Sequence, residues 1–179
     1  MRPENINTVC HRWIKEEIND ESICIDATAG RGNDTLFLAQ NAKKVYAFDI
    51  QEEAIASARE KTEGLDNITF LLDSHVAMDR YVSEKADCIV FNFGYLPKGD
   101  KGITTLSDTS RQAIEKAILL LNPGKCLFLV FYIGHSEGRK EHEDFLEYIR
   151  EYDQITIERS YTYEGRKDAP ILYQIRRIS

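Results

Sequence analysis

The residues able to do chemistry in this 179-residue chain stand where apolar runs end. The first group is Ile23-Cys-Ile-Asp26-Ala-Thr28-Ala-Gly30-Arg-Gly32-Asn33-Asp34-Thr35, which reads as a buried strand, a glycine turn and the start of a helix. Gly30 and Gly32 permit positive φ and close approach of a ligand to the backbone, and Asn33 is the expected helix N-cap. The second is Asp49, closing Lys44-Val-Tyr-Ala-Phe-Asp49 about twenty residues beyond the turn, the spacing of an acid that accepts hydrogen bonds from ribose hydroxyls. Its competing role is an N-cap for the next helix; Ile50 and Gln51 would border a bound nucleoside. Asp73, Ser74 and His75 close a third run, where a base amino group can be bonded, with an N-cap at Asp73 as the rival and His75 as a neighbour of the base. The fourth is Asn92-Phe93-Gly94-Tyr95, opening a turn-rich stretch that extends to Thr105. Loops of that length at strand ends usually carry function.

The charges narrow the ligand. A pyrophosphate cofactor wants positive potential at the turn and the helix N-terminus. Here Asp26 and Asp34 flank the turn, and Thr35 replaces the third glycine of G-x-G-x-x-G. Two carboxylates repel a diphosphate at close range and suit a ligand bearing a sulfonium and an ammonium, which describes S-adenosylmethionine (SAM), whose product is S-adenosylhomocysteine. Thr28 joins this cofactor set, and a dinucleotide is the alternative ligand. Tight turns that merely cap strands are the plain alternative at Asn92 and Tyr95.

These residues need a frame. Residues 5–17 read as an amphipathic helix with Ile6, Val9, Cys10, Trp13 and Ile14 on one face and His11 as a packed or capping histidine. Strands are expected at 23–26, 44–49, 67–72, 86–91 and 125–133, alternating with helices at 51–63, 107–121 and 139–152. That alternation implies right-handed βαβ units and a parallel sheet with helices on both faces. Period-2 alternation from Ile155 to Tyr163, a turn at 164–168 and a run from Ile171 to Ile178 predict a closing antiparallel hairpin. Tyr161 and Tyr163 read as core or dimer-interface residues. One domain over 1–179 is expected, with the first twenty residues lying across the sheet.

Hydrophobic content of 42% and charged content of 30% fit a globular chain, and no apolar run approaches membrane-spanning length. No signal-peptide pattern opens the sequence, so a cytoplasmic protein without membrane contact is expected. A net charge of −7 argues against indiscriminate nucleic-acid binding, leaving room for a shaped RNA held by a local basic patch. Cys10, Cys24, Cys88 and Cys126 form no C-x-x-C and read as buried thiols; no metal cluster is expected.

Asp26-x-x-x-Gly30-x-Gly32 resembles motif I of the Rossmann-like class I methyltransferases, whose order is a seven-stranded, mostly parallel sheet ending in an antiparallel hairpin. Asn92-Phe-Gly-Tyr95 resembles the N/D-P-P-Y/F motif of amino-group methyltransferases, with Phe93-Gly94 replacing the two prolines. There the Asn oxygen and a backbone carbonyl, here that of Phe93, accept hydrogen bonds from the target nitrogen, and the aromatic ring packs on the acceptor. Asp26–Ala39, Phe48–Gln51, Asn92–Lys101 and Gly134–Gly138 together are similar to the MnmM (YtqB) family, small bacterial proteins long labelled rRNA methylases. The resemblance implies SAM-dependent conversion of 5-aminomethyl-(2-thio)uridine to its methylaminomethyl form at the tRNA wobble position, with the anticodon stem-loop as partner. On this reading Asn92, Tyr95 and Asp100 are catalytic, and Phe93, Gly94, Leu96, Pro97, Lys98, Lys101 and His135 face the substrate. Asp100 and His135 are candidate proton acceptors. Lys98, Lys101, Arg111, Arg139 and Lys140 form the candidate basic patch, and a homodimer is expected. The competing readings are methylation of rRNA or of a small amine, a dinucleotide-dependent oxidoreductase, and a non-catalytic SAM-binding module.

Overall fold

The computed structural model describes residues 2–93 and 107–179, Ser107 by its backbone alone. Seven strands form one sheet in the order β3-β2-β1-β4-β5-β7-β6. They are β1 (Ile23–Asp26), β2 (Lys44–Asp49), β3 (Ile68–Leu72), β4 (Ala86–Phe93), β5 (Leu121–Phe131), β6 (Ile155–Thr162) and β7 (Ile171–Arg177). β1 to β5 pair in parallel, and β7 pairs antiparallel with both β5 and β6. This is the expected Rossmann-like sheet with its closing hairpin. The order reverses between β1 and β4, so the crevice opens at their carboxyl ends.

Alternation along the strands builds two cores. Cys88 and Val90 of β4, with Cys126, Phe128 and Val130 of β5, meet α1 (Ile6–Glu17) and α2 (Asn33–Asn41) on one face. Ile89, Phe91 and Phe93, with Leu127, Leu129 and Phe131, meet α5 (Ser107–Leu120) and α6 (Ser136–Ile149) on the other. α3 (Glu52–Lys61) lies beside α2, and the short α4 (Met78–Tyr81) leads into β4. Burial on both faces explains why β1 and β4 read as continuous apolar runs.

Several boundaries differ from expectation. β4 runs on through Asn92 and Phe93, because both pair with β5, opposite Val130 and Phe131. Phe93 is fully buried, its ring 5.0 Å from that of Phe131, so its side chain belongs to the core and only its backbone is left for a substrate role. α5 stops at Leu120, earlier than the Asn122-Pro-Gly expected to end it, and β5 starts at once. The orphan carbonyls at that helix end are met by Arg177, bonded to Ile118 and Leu119, and by Lys85 on Leu119. The four cysteines, scattered in sequence, converge: Cys24 faces Cys88 across β1–β4, Cys88 faces Cys126 across β4–β5, and all four are buried.

α1 is fixed by the end of the chain. The Ile6 amide donates to the Tyr163 hydroxyl at 2.9 Å, and the Tyr161 hydroxyl donates to the Glu4 carbonyl. Farther along, Arg176 grips Glu17, while Arg159 pairs with Glu16 and lies 4.3 Å over the Trp13 ring. Tyr161 and Tyr163 are thus clasps for α1. No described helix is long and apolar enough to cross a membrane.

Candidate functional site

β1 delivers Asp26 to the crevice with no exposed surface. Its Oδ2 accepts from the Thr35 hydroxyl at 2.6 Å and its Oδ1 from the Thr28 amide at 3.1 Å. Burial first, then the charge of Asp34, pushes the Asp26 carboxyl up to about 8, against the opposing pull of those two donors. A bound cation would relieve both costs, so the donor set fits the sulfonium and ammonium of SAM and disfavours a diphosphate.

The turn places its glycines for two reasons. Gly30 has φ 52° and its amide donates to Asp49 Oδ2 at 2.9 Å, tying the turn to the end of β2. Gly32 has φ 86°, and a Cβ there would lie 2.7 Å from the Ala58 Cα, so its bareness lets the turn seat on α3. Gly32, in a left-handed conformation, also occupies the N-cap position of α2. This corrects the expectation for Asn33: it is the first helical residue, exposed, and its side chain accepts from Lys61 outside the crevice.

Of the two roles considered for Asp49, the structure bears on the one at the helix entry. Its Oδ1 accepts from the Gln51 amide at 2.9 Å, holding the entry to α3, where Gln51 itself is the N-cap. Ile50 projects beside it, 53% exposed, an apolar surface at the mouth of the crevice. At the end of β3 it is Ser74 that caps the following 3-10 turn, bonding the Val76 amide, and the N-cap role considered for Asp73 is not observed. Asp73 instead accepts from the Tyr81 hydroxyl at 2.7 Å, which holds its carboxyl below the usual range. His75 is buried beneath Phe91 and Phe93, and its Nδ1 donates to the Ala27 carbonyl at 3.0 Å. Burial lowers its pKa to about 4, so it is a neutral strut under the turn.

Across the crevice, the Asn92 amide donates to Thr28 Oγ1 at 2.7 Å, locking β4 to the turn. The Asn92 Nδ2 faces Asn7 Oδ1 at 3.3 Å and Asp34 Oδ2 at 3.4 Å, which sets the roll of the amide and turns Oδ1 the other way. Asp34 also bonds His11 Nε2 at 2.6 Å. The Tyr132 hydroxyl, bonded by Asn92 and Asn7, has its pKa raised by burial and then by Asp34. Asp34, expected among cofactor ligands, therefore stands on the wall between the turn and the acceptor end.

Asn7, His11 and Tyr132 were not legible as a group. They lie on α1 and at the end of β5, and only the fold brings them to Asn92. An Asn and a His four residues apart on one helix was the available signal.

His135 caps α6, its Nδ1 accepting from the Gly138 amide at 3.1 Å, so that nitrogen is committed to the helix. Gly138 is forced: a Cβ would lie 1.9 Å from the Tyr132 carbonyl oxygen. Three members of the candidate basic patch are among the described residues. Arg111 pairs with Glu115 and covers the Tyr148 ring, and Arg139 braces Asp168 of the hairpin turn, while Lys140 is exposed. Gly94, Tyr95, Leu96, Pro97, Lys98, Asp100 and Lys101 lie outside the described residues.

A family model described as "Putative rRNA methylase" matches residues 45–176. A tRNA (mnm(5)s(2)U34)-methyltransferase from the chloroplast of Arabidopsis thaliana is 37% identical over 151 residues, 75% of this chain and 55% of the plant protein. The chain thus spans about half the length of that relative. Among solved structures, a "putative rRNA-methylase" from Clostridium thermocellum superposes with a TM-score of 0.91 at 35% identity, covering 99% of this chain and 100% of that one. A "putative methyltransferase" from Streptococcus mutans in complex with SAH gives 0.90 at 35% identity, with the same coverage of both chains.

Proposed function

Because the chain belongs to the rRNA methylase family, we propose that it is a SAM-dependent N-methyltransferase acting on 5-aminomethyl-(2-thio)uridine at the wobble position of tRNA. The observation that carries this reading is the crevice between Asp26 and Asn92, a buried carboxylate on one side and a fixed carboxamide on the other, in a chain 37% identical to a plant enzyme named for the U34 reaction. SAM bound there would supply an electrophilic methyl group. Asp26, Thr28 and Thr35, with the turn of Gly30 and Gly32, would hold its amino-acid end. Asp49 would take the ribose, with Ile50, Gln51, Asp73 and Ser74 around the base.

Methyl transfer to nitrogen is an in-line displacement, so alignment supplies most of the acceleration. Asn92 Oδ1 suits that task, because its amide is already rolled by Asn7 and Asp34 and loses little freedom on accepting a substrate N–H. The substrate would be an unpaired anticodon base, read by stacking and phosphate contacts, which a chain of net charge −7 must supply locally.

Nucleoside mass spectrometry tests the reading. tRNA carrying 5-aminomethyl-2-thiouridine, incubated with the protein and SAM, should gain one methyl on that nucleoside. An unchanged nucleoside alongside methylation of rRNA or of a small amine would replace the acceptor and keep the enzyme class. Binding of NAD in place of SAM would remove the class itself.

A further inference from the structure

The amine reading leaves one proton to be placed. A primary alkylamine with a pKa of about 10 arrives as an ammonium, which has no lone pair with which to attack a methyl group. Among the described residues, a carboxylate–imidazole pair stands beside Asn92. Asp34 Oδ1 lies 2.6 Å from His11 Nε2, and Asp34 Oδ2 faces Asn92 Nδ2 at 3.4 Å. The imidazole lies flat on the Phe37 ring, 4.1 Å between centroids and 5° between planes.

We propose that the Asp34–His11 pair accepts the proton of the substrate ammonium and so generates the neutral amine beside Asn92. The inference rests on the function proposed above. Stacking on Phe37 fixes the plane of the ring. The bond to Asp34 selects the tautomer with hydrogen on Nε2, which leaves the Nδ1 lone pair available. In the step, an N–H bond of the ammonium breaks and its electron pair stays on nitrogen. The proton passes to the lone pair of His11 Nδ1, while Asp34 stays a carboxylate bonded to the Nε2–H and holds the ammonium by charge. The pair passes from net charge −1 to an imidazolium–carboxylate of net charge zero, and water then takes the proton, since the His11 side chain is 23% exposed. Asp34 draws the ammonium in by charge and orients the ring; His11 is the proton acceptor. Asp26, Cys10 and Tyr132 are the titratable groups that feel Asp34, from β1, α1 and the end of β5.

The competing role is a tether between α1 and α2, and pH separates the two. His11→Gln keeps a donor toward Asp34 and removes the proton acceptor, and His11→Asn provides a shorter second variant. Methyl transfer to tRNA bearing 5-aminomethyl-2-thiouridine is followed at saturating SAM from about pH 6.5 to about pH 10, with S-adenosylhomocysteine affinity and thermal melting measured alongside. Affinity should stay within about twofold of wild type while kcat falls about 100-fold near neutral pH, the low end for general-base catalysis. The deficit should shrink as pH nears the amine pKa, where substrate arrives neutral. Wild-type turnover near neutral pH, or a deficit of equal size at both ends of the range, overturns the role of the pair. Absence of transfer by the wild-type protein, with S-adenosylhomocysteine still bound, overturns the proposed function itself.

Discussion

On the proposed function, Asp26 would make SAM affinity depend on pH in a way that its surroundings dictate. The carboxyl is wholly buried, and burial together with Asp34 pushes its pKa up to about 8. Below that pH the free site holds a proton that a bound ammonium or sulfonium must displace. If the cation returns Asp26 to an ordinary carboxylate range, each unit of pH below about 8 costs the complex about 1.4 kcal/mol. Between about pH 5.5 and pH 7.5, where the ligand amino group stays charged, affinity should therefore rise about 100-fold, with close to one proton released per SAM bound. Isothermal titration calorimetry in two buffers of different ionisation heat measures both quantities. Asp26→Asn retains the shape and removes the proton. It should bind weakly and without a slope, losing about 1.5–3 kcal/mol for the missing charge-assisted contact. Wild-type affinity constant within about twofold over that window, or an equal slope in Asp26→Asn, would refute the reasoning.

Three further outcomes follow from packing and burial. Gly32→Ala places a Cβ against Ala58 at positive φ and should cost about 1–3 kcal/mol in urea unfolding, as should Gly138→Ala against the Tyr132 carbonyl. The folded-state pKa of His75 is lowered from 6.5 to about 4, so its contribution is complete above pH 6.5 and fades as pH falls toward 4. Acid unfolding of His75→Leu should accordingly lack up to about 3 kcal/mol of that pH dependence. Buried thiols with raised pKa are inert, so Cys10, Cys88 and Cys126 should resist an aromatic disulfide reagent in the native state and react after denaturation; rapid native labelling would contradict the packing.

The placement of the candidate residues was legible where they coincide with the end of an apolar run. Asp26, Asp49 and Asn92 each close an apolar stretch, and the sheet places all three at one edge because parallel strands share a direction. Legibility failed where a backbone conformation outranked a side-chain preference, as at Asn33, displaced from the cap by left-handed Gly32. The end of β4 was misplaced because Asn92 looks like a loop residue, while its pairing with Val130 is decided by a distant strand. Asn7, His11 and Tyr132 carried little local signal beyond the four-residue spacing of the first two, since their meaning lies in the placement of α1 over β4 and β5. The cysteine ladder was hidden for the same reason: register between strands, not spacing along the chain, makes those residues neighbours.

The clasp between α1 and the terminal hairpin bears on the order of folding. The bonds from Ile6 to Tyr163 and from Glu17 to Arg176 join residues separated by 157 and 159 positions. Contacts so remote in sequence have a large loop-closure cost and favour late formation. β1 to β5 can pair and set the glycine turn while β6 and β7 are still on the ribosome, yet Asn7 and His11 then lack the clasp that holds them over Asn92. A nascent chain halted before Ile155 is accordingly expected to present the glycine turn with Asn7 and His11 unset, so that the proposed methylating competence would arise only once β7 has been made.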